Sequence, residues 1–202
     1  MDRLAASKIR VPGLEVRVVQ RCASTNAVLM SERHAQPVLM AAEEQTAGRG
    51  RRGRKWHSAP GAGATFSIRK ALRCEQRRLP GLSVAVGLAA ARALRSLGAR
   101  GVAVKWPNDL LVNRRKLGGI LIETRPSSEG SVVIVGIGIN CRAQPRLGVR
   151  LGRGIAALDD VLQRPASRNA VIAAVAREVL RALDAWERAW APALALDRKR
   201  AA

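Results

Sequence analysis

The stretch Gly48-Arg49-Gly50-Arg51-Arg52-Gly53-Arg54-Lys55-Trp56 packs three glycines, four arginines and a lysine into nine residues and closes on a tryptophan. Glycines let a backbone adopt φ > 0 and approach a ligand closely, while guanidinium forks grip carboxylate or phosphate oxygens two at a time. The segment therefore suits a loop that wraps a small anion. By itself it fits a solvated basic loop or a flexible nucleic-acid-binding segment equally well. It is not a P-loop, because no Gly-Lys-Ser/Thr ending places a hydroxyl on magnesium.

Working outward, Glu15 to Gln20 alternates with β-branched residues and reads as a strand, and Ser24-Thr25-Asn26 can cap a helix running to about Arg33. Pro37 to Ala42 and Ala64 to Ile68 read as strands on either side of the loop. From Leu79 to Leu97, the residues Leu82, Val86, Ala89, Ala90, Ala93, Leu94 and Leu97 recur at helical spacing and predict a core-packed helix ending at Gly98. Val102 to Trp106, Leu110 to Val112, Lys116 to Glu123 and Ser131 to Ile139 follow as strands, the last two joined by a turn at Pro126 to Gly130. Gln144 to Gly154 reads as a loop. Arg168 to Trp190 carries Val171, Ile172, Val175, Val179, Leu180, Leu183 and Trp186 on one helical face. The order predicts an α/β (α+β) class, with a mixed central β-sheet flanked by helices. It reads as a single domain over residues 1–202, with 1–14 as an N-terminal extension and 191–202 as a charged tail that frays.

Composition narrows the function. At 202 residues and 48% hydrophobic content the chain can bury one substantial core. No run approaches the roughly 18 apolar residues of a membrane span, and no apolar segment follows the N-terminus, so no membrane partner and a cytoplasmic location are expected. Cys22, Cys74 and Cys141 are far apart and lack C-x-x-C spacing, which indicates neither a disulfide framework nor a zinc site. The formal charge of +21 is chiefly arginine scattered from Arg3 to Arg200. It suits steering of acidic partners, and with no tyrosine, one phenylalanine and four tryptophans the chain has few platforms for stacking bases.

Three further motifs carry chemistry. Lys105-Trp106-Pro107-Asn108-Asp109 ends on an amide and a carboxylate, hard oxygen ligands of the kind Mg²⁺ takes when it also holds phosphates; as a lone pattern it is also a common turn. Trp106 itself reads as a core aromatic. Lys116-Leu117-Gly118-Gly119 sets a cation beside closely approachable backbone, or alternatively marks a bulge. Val135-Gly136-Ile137-Gly138-Ile139-Asn140 ends an apolar strand whose alternating glycines leave one face bare. It lacks the third glycine and following helix of a dinucleotide fingerprint.

Together, Ser24-Thr25-Asn26, Gln45, Gly48 to Trp56, Lys105 to Asp109, Lys116 to Gly119 and Gly136 to Asn140 stand in the order and approximate spacing of the catalytic domain of biotin protein ligases. The chain resembles that family over roughly Val16 to Asn140. The resemblance implies a catalytic domain akin to class II aminoacyl-tRNA synthetases that makes biotinyl-5′-adenylate from biotin and ATP with Mg²⁺. It then implies transfer of biotin to one lysine of a carrier such as the biotin carboxyl carrier of acetyl-CoA carboxylase. Ser24, Thr25, Asn26, Gln45, Gly48, Arg49, Arg51, Lys116, Gly118 and Gly119 would bind biotin. Arg49, Arg51, Arg54, Trp56, Asn108, Lys116 and Asn140 would bind ATP, with Asn140 on the adenine. Arg51 and Lys116 would be catalytic, and Asn108 with Asp109 would hold the metal. The helix-turn-helix and SH3-like domains that many relatives carry have no counterpart in the quoted sequence, so no specific DNA binding is expected; a homodimer is compatible with the resemblance. The alternatives are a lipoate- or octanoate-attaching enzyme of the same fold, a truncated inactive ligase and a basic nucleic-acid-binding module.

Overall fold

The structure, a computed structural model, describes residues 2–200 except 58 and 153, with side chains as far as Trp190. Among these residues seven strands form one sheet: β1 (Glu15–Cys22), β2 (Val38–Gln45), β3 (Gly63–Leu72), β4 (Ala103–Lys105), β5 (Asp109–Val112), β6 (Arg115–Ser127) and β7 (Gly130–Asn140). Their order across the sheet is β1-β2-β3-β7-β6-β5-β4. Only β1 and β2 run parallel, joined by a crossover through α1 (Thr25–Ser31); every other neighbouring pair is antiparallel. The mixed sheet expected from the strand pattern is therefore present.

The two faces of the sheet have different tasks. Because strand side chains alternate, Leu39, Phe66, Ile68, Val133, Val135 and Ile137 point to one side, where α2 (Leu82–Ser96) and α4 (Arg168–Arg200) cover them in the main core. Thr65, Ser67, Gly136, Gly138, Leu121 and Glu123 occupy the other side, which the short α1 and the Gly/Arg loop overlie. A smaller apolar cluster of Leu29, Val38, Met40, Val132 and Ile134 anchors α1 at one end of this face and leaves the other end to polar side chains.

Several boundaries differ from the sequence reading. Residues 145–151, expected as loop, form α3 (Pro145–Leu151), opened by a proline in its first turn and capped by Gly152 at φ 58°. Two turns with no buried residue carry too little periodicity to be seen. Strand β6 runs through Pro126 to Ser127, so only Ser128 and Glu129 turn; Pro126 is tolerated because β5 pairs only with residues 115–119 and leaves that edge open. Residues 2–11 are part of the body, with Leu4, Ile9 and Val11 in the main core. Helix α4 continues to Arg200 through the tail expected to fray, and Ala201 and Ala202 lie outside the described residues. No described helix is long and apolar enough to cross a membrane.

Candidate active site

On the α1 face a cavity of about 400 Å³ opens between α1, the Gly/Arg loop, the β4–β5 turn and strands β3, β7 and β6. Its floor is a hydrogen-bonded group of neutral side chains. Ser24 caps α1, its hydroxyl accepting from the Ala27 amide at 3.4 Å. The Thr25 amide and hydroxyl both reach Gln45 Oε1, at 2.7 and 2.9 Å, and Thr25 Oγ1 lies 2.6 Å from Ser67 Oγ. Ser67 in turn donates to Asn26 Oδ1 at 2.6 Å. Two hydroxyl protons thus serve three contacts, which leaves the floor able to redistribute them when a ligand presents its own donors and acceptors.

The bare face of β7 is what makes room. A Cβ on Gly136 would collide with the Asn26 carboxamide, and one on Gly138 would collide with the Trp56 indole. The Trp56 ring closes one wall, between this cavity and an adjoining hollow of about 1140 Å³ that reaches α3. Its Nε1 is buried and has no hydrogen-bond partner among the described residues. An unpaired buried N–H costs free energy until something accepts from it.

The mouth is cationic. Arg49, Arg51, Arg52, Arg54, Lys55, Lys105 and Lys116 line the cavity against one carboxylate, Asp109. The loop is folded as a tight hairpin: Arg49 bridges Lys55, Trp56 N donates to Gly48 O at 2.9 Å, and Arg52 takes φ 55° at the tip before Gly53 at φ 71°. Charge repulsion alone predicts an open loop, but Glu123 offsets Arg49 at 3.1 Å and the backbone pairing holds the limbs together. Across the mouth, Lys116 Nζ donates to Asp109 Oδ1 at 2.6 Å, and Arg51 Nη1 donates to Asn108 Oδ1 at 3.4 Å. The arrangement offers a polar, neutral floor for a small molecule's head and a cluster of cations at the mouth for an anion.

Comparison with known proteins places this geometry. Residues 18–140 match the model of the "Biotin/lipoate A/B protein ligase family". A "Biotin--[acetyl-CoA-carboxylase] ligase" from Mycobacterium tuberculosis is 32% identical over 196 residues, 91% of this chain and 69% of that protein. The chain is a member of the biotin protein ligase family. The "Bifunctional ligase/repressor BirA" of Escherichia coli is 40% identical over 147 residues, which cover 72% of this chain but 46% of that protein. The chain thus spans less than half the length of that two-function relative. Among solved structures, "Biotin protein ligase from Aquifex aeolicus in complex with biotin and ATP" superposes with a TM-score of 0.72 at 27% identity, covering 88% of this chain and 73% of that one.

The structure brings Ser24, Thr25, Asn26, Gln45, Arg49, Arg51, Arg54, Trp56, Asn108, Asp109, Lys116 and Gly119 to one cavity. Three expected residues stand elsewhere. Gly48 lies in the loop base beside the second hollow, where a Cβ would come within 2.6 Å of Trp56 O. Gly118 is buried between strands, where a Cβ would stand 2.6 Å from Gly138 O. Asn140 is buried and does not line the cavity: its Nδ2 donates to Lys116 O at 3.2 Å and Ala156 O at 3.0 Å. These bonds fasten the segment after α3 to the backbone of Lys116. Trp106 is the plainest correction, since it stands 78% exposed at the rim and not in the core. Ser67 and Glu123 were missed. The alternation Thr65-Phe66-Ser67-Ile68-Arg69 signals a polar strand face, and Glu123 ends the apolar run of β6, yet neither belongs to a recognisable motif.

Proposed function

We propose that this chain activates biotin with ATP to biotinyl-5′-adenylate and transfers it to a lysine of a biotin carboxyl carrier. The observation that carries the reading is the joining of a neutral hydrogen-bonding floor, from Ser24 to Gln45, to a mouth with seven cationic side chains and one carboxylate. A ureido ring, rich in N–H and C=O, matches the polar lining of Ser24, Thr25, Asn26 and Gln45; the aliphatic end of a lipoyl or octanoyl chain would offer that lining neither donor nor acceptor. That favours biotin over the other acyl groups of the family.

The chemistry asks the protein for no nucleophile. The biotin carboxylate attacks the α-phosphorus of ATP, a P–O bond to the bridging oxygen breaks, and pyrophosphate leaves. The protein's contribution is positioning and neutralisation of charge. Arg51 and Lys116 flank the mouth from the loop and from β6, where they hold carboxylate and α-phosphate oxygens together. Arg49 and Arg54 neutralise the remaining phosphates, and the Trp56 N–H donates to the adenylate while its ring excludes water. In the second step the carrier lysine, as the free amine, attacks the acyl carbon and AMP leaves.

Asn108 and Asp109 supply hard oxygens at the mouth, with Asp109 the single lining carboxylate; this donor set fits Mg²⁺ held mainly by phosphate oxygens and water. The ion would add positive charge where the phosphate charge is densest. Asp109 and Asn108 Oδ1, now turned to Lys116 and Arg51, would hold it.

Transfer of labelled biotin to a carrier domain, dependent on Mg-ATP, tests the reading. Thermal stabilisation by biotin with Mg-ATP and none by duplex DNA is the expected companion result. Stabilisation by DNA alone with no adenylate formed would replace it with the nucleic-acid reading.

A further inference from the structure

Glu123 belongs to none of the motifs, yet among the described residues it is the acidic side chain bonded to both the floor and the loop. Its Oε2 accepts from Asn26 Nδ2 at 2.8 Å, and its Oε1 accepts from Arg49 Nη2 at 3.1 Å. From Asn26 the hydrogen bonds continue through Ser67 and Thr25 to Gln45, the last residue of β2, three residues before the loop begins at Gly48. The path therefore leaves the loop at Arg49 and returns to its base at Gln45. Along it lie the side chains that line the cavity floor. The pairing Glu123↔Ile134 sets the carboxylate on the α1 face, and the Cβ-free Gly136 lets Asn26 reach down to it.

We infer that Glu123 is a positioning residue that couples occupancy of the floor to the setting of the Gly/Arg loop. The inference rests on reading the cavity as the biotin and ATP site. A charged acceptor shared by two donors holds both in place. A molecule that fixes Asn26, Thr25 and Gln45 also fixes Glu123, and with it the guanidinium of Arg49, before any phosphate arrives. The phosphate-bearing substrate then finds Arg49 already ordered and binds more tightly. By linkage, the nucleotide must tighten the floor ligand by the same factor.

The experiment is a pair of titrations by calorimetry on the full chain: biotin alone, and a non-hydrolysable ATP analogue with and without saturating biotin. In the parent, biotin tightens the analogue at least about fivefold. Glu123→Gln keeps an oxygen for Asn26 but presents an uncharged side chain to Arg49. It is expected to bind biotin as the parent does, with a coupling factor near unity. Glu123→Ala leaves Asn26 Nδ2 with only its longer bond to Leu121 O, at 3.3 Å, and weakens biotin about tenfold in addition. Arginine-directed proteolysis between residues 49 and 54, read without ligands, is expected to run about threefold faster in Glu123→Gln than in the parent. Should Glu123→Gln not fold, Arg49→Met cuts the same link from the exposed loop side and must also bring the coupling factor to near unity. A coupling factor of parental size in Glu123→Gln or Arg49→Met overturns the inference and leaves the function standing. A parent that binds biotin with no coupling does the same, whereas a parent that binds neither ligand overturns both.

Discussion

The indole of Trp56 lies directly on the α-carbon of Gly138, so closely that a methyl group at position 138 would overlap ring atoms including the indole nitrogen. The last residue of the Gly/Arg loop is thus seated on a bare patch of β7, and the wall between the two hollows depends on a hydrogen in place of a side chain. Gly138 has ordinary extended backbone, so its need for glycine is one of space and not of dihedral angle.

Gly138→Ala is therefore expected to tip the indole away while leaving the sheet paired. The overpacking cost, about 1–3 kcal/mol, falls on the loop seat, which can move, more than on the strand, which cannot. The measurement is retention of biotinyl-adenylate alongside the melting temperature: retention falls at least about tenfold with the melt nearly unchanged. A variant that melts far below the parent and keeps its adenylate would show that Trp56 is a packing residue only.

Lys116 and Asp109 form the ion pair across the mouth, at 2.6 Å with both side chains mostly covered. Lys116→Ala is expected to slow adenylate synthesis by at least about tenfold through loss of a charge-assisted contact. Asp109→Asn is expected to raise the Mg²⁺ concentration required. Rapid-mixing assays of pyrophosphate release over a range of Mg²⁺ separate the two, and a normal metal dependence in Asp109→Asn would return that residue to a turn-forming role.

The motifs that marked the site in the sequence are those in which chemistry and backbone demand coincide: Gly/Arg alternation in the loop, a lysine before two glycines, Pro-Asn-Asp in a turn. Each was legible because a residue type was rare in its setting. Ser67 and Glu123 were not, since a serine on a strand and a glutamate at a strand's polar end are ordinary locally and acquire meaning only when α1 is folded over them. Asn140 shows the converse, a residue whose place in the fold adds partners that its motif does not announce. It stands at the end of a glycine-marked strand, where an amide invites a ligand, but the strand carries it past the cavity to two backbone carbonyls. Trp106 misled because a tryptophan between β4 and β5 reads as core, whereas so short a hairpin holds its turn at the rim. The parallel β1–β2 pair was hidden as well, because strand pairing is set by the crossover through α1 and not by either strand's own pattern.

Asn140→Ala should then behave as a structural lesion with a local effect on the site. Loss of its two buried hydrogen bonds removes the Asn140 donor from the Ala156 carbonyl and leaves Lys116 O with the Ala156 amide, at about 1–3 kcal/mol of stability. Denaturant unfolding is expected to show this, while selectivity for ATP over GTP stays as in the parent. A changed base preference with unchanged stability would restore the adenine contact.

Glu43 and Arg168 are expected to set the acid limit of the fold. Arg168, 1% exposed, opens α4 and donates to Glu43 at 2.6 and 3.0 Å, and Glu43 also accepts from the Leu4 amide at 2.7 Å. Burial pushes the Glu43 carboxyl upward, but the hydrogen bond from Arg168, the Leu4 amide and the guanidinium charge together outweigh it and hold it below the ordinary glutamate value. A carboxylate lowered in the folded state favours folding fully at pH above its unfolded value of 4.5, and that contribution is lost as pH falls through the lower folded value. Stability measured by urea unfolding is therefore expected to fall steeply below about pH 4.5. Glu43→Gln should flatten that slope, at the cost of lower stability at neutral pH. Arg168→Met is the harsher change, because it leaves a buried carboxylate with the Leu4 and Gly61 amides but no countercharge; about 3–5 kcal/mol of destabilisation is expected at pH 7, partly relieved on acidification as Glu43 takes a proton. An Arg168→Met variant that is equally unstable at pH 4 and pH 7 would mean that the pair is held by packing alone and that the acid limit lies in another carboxylate.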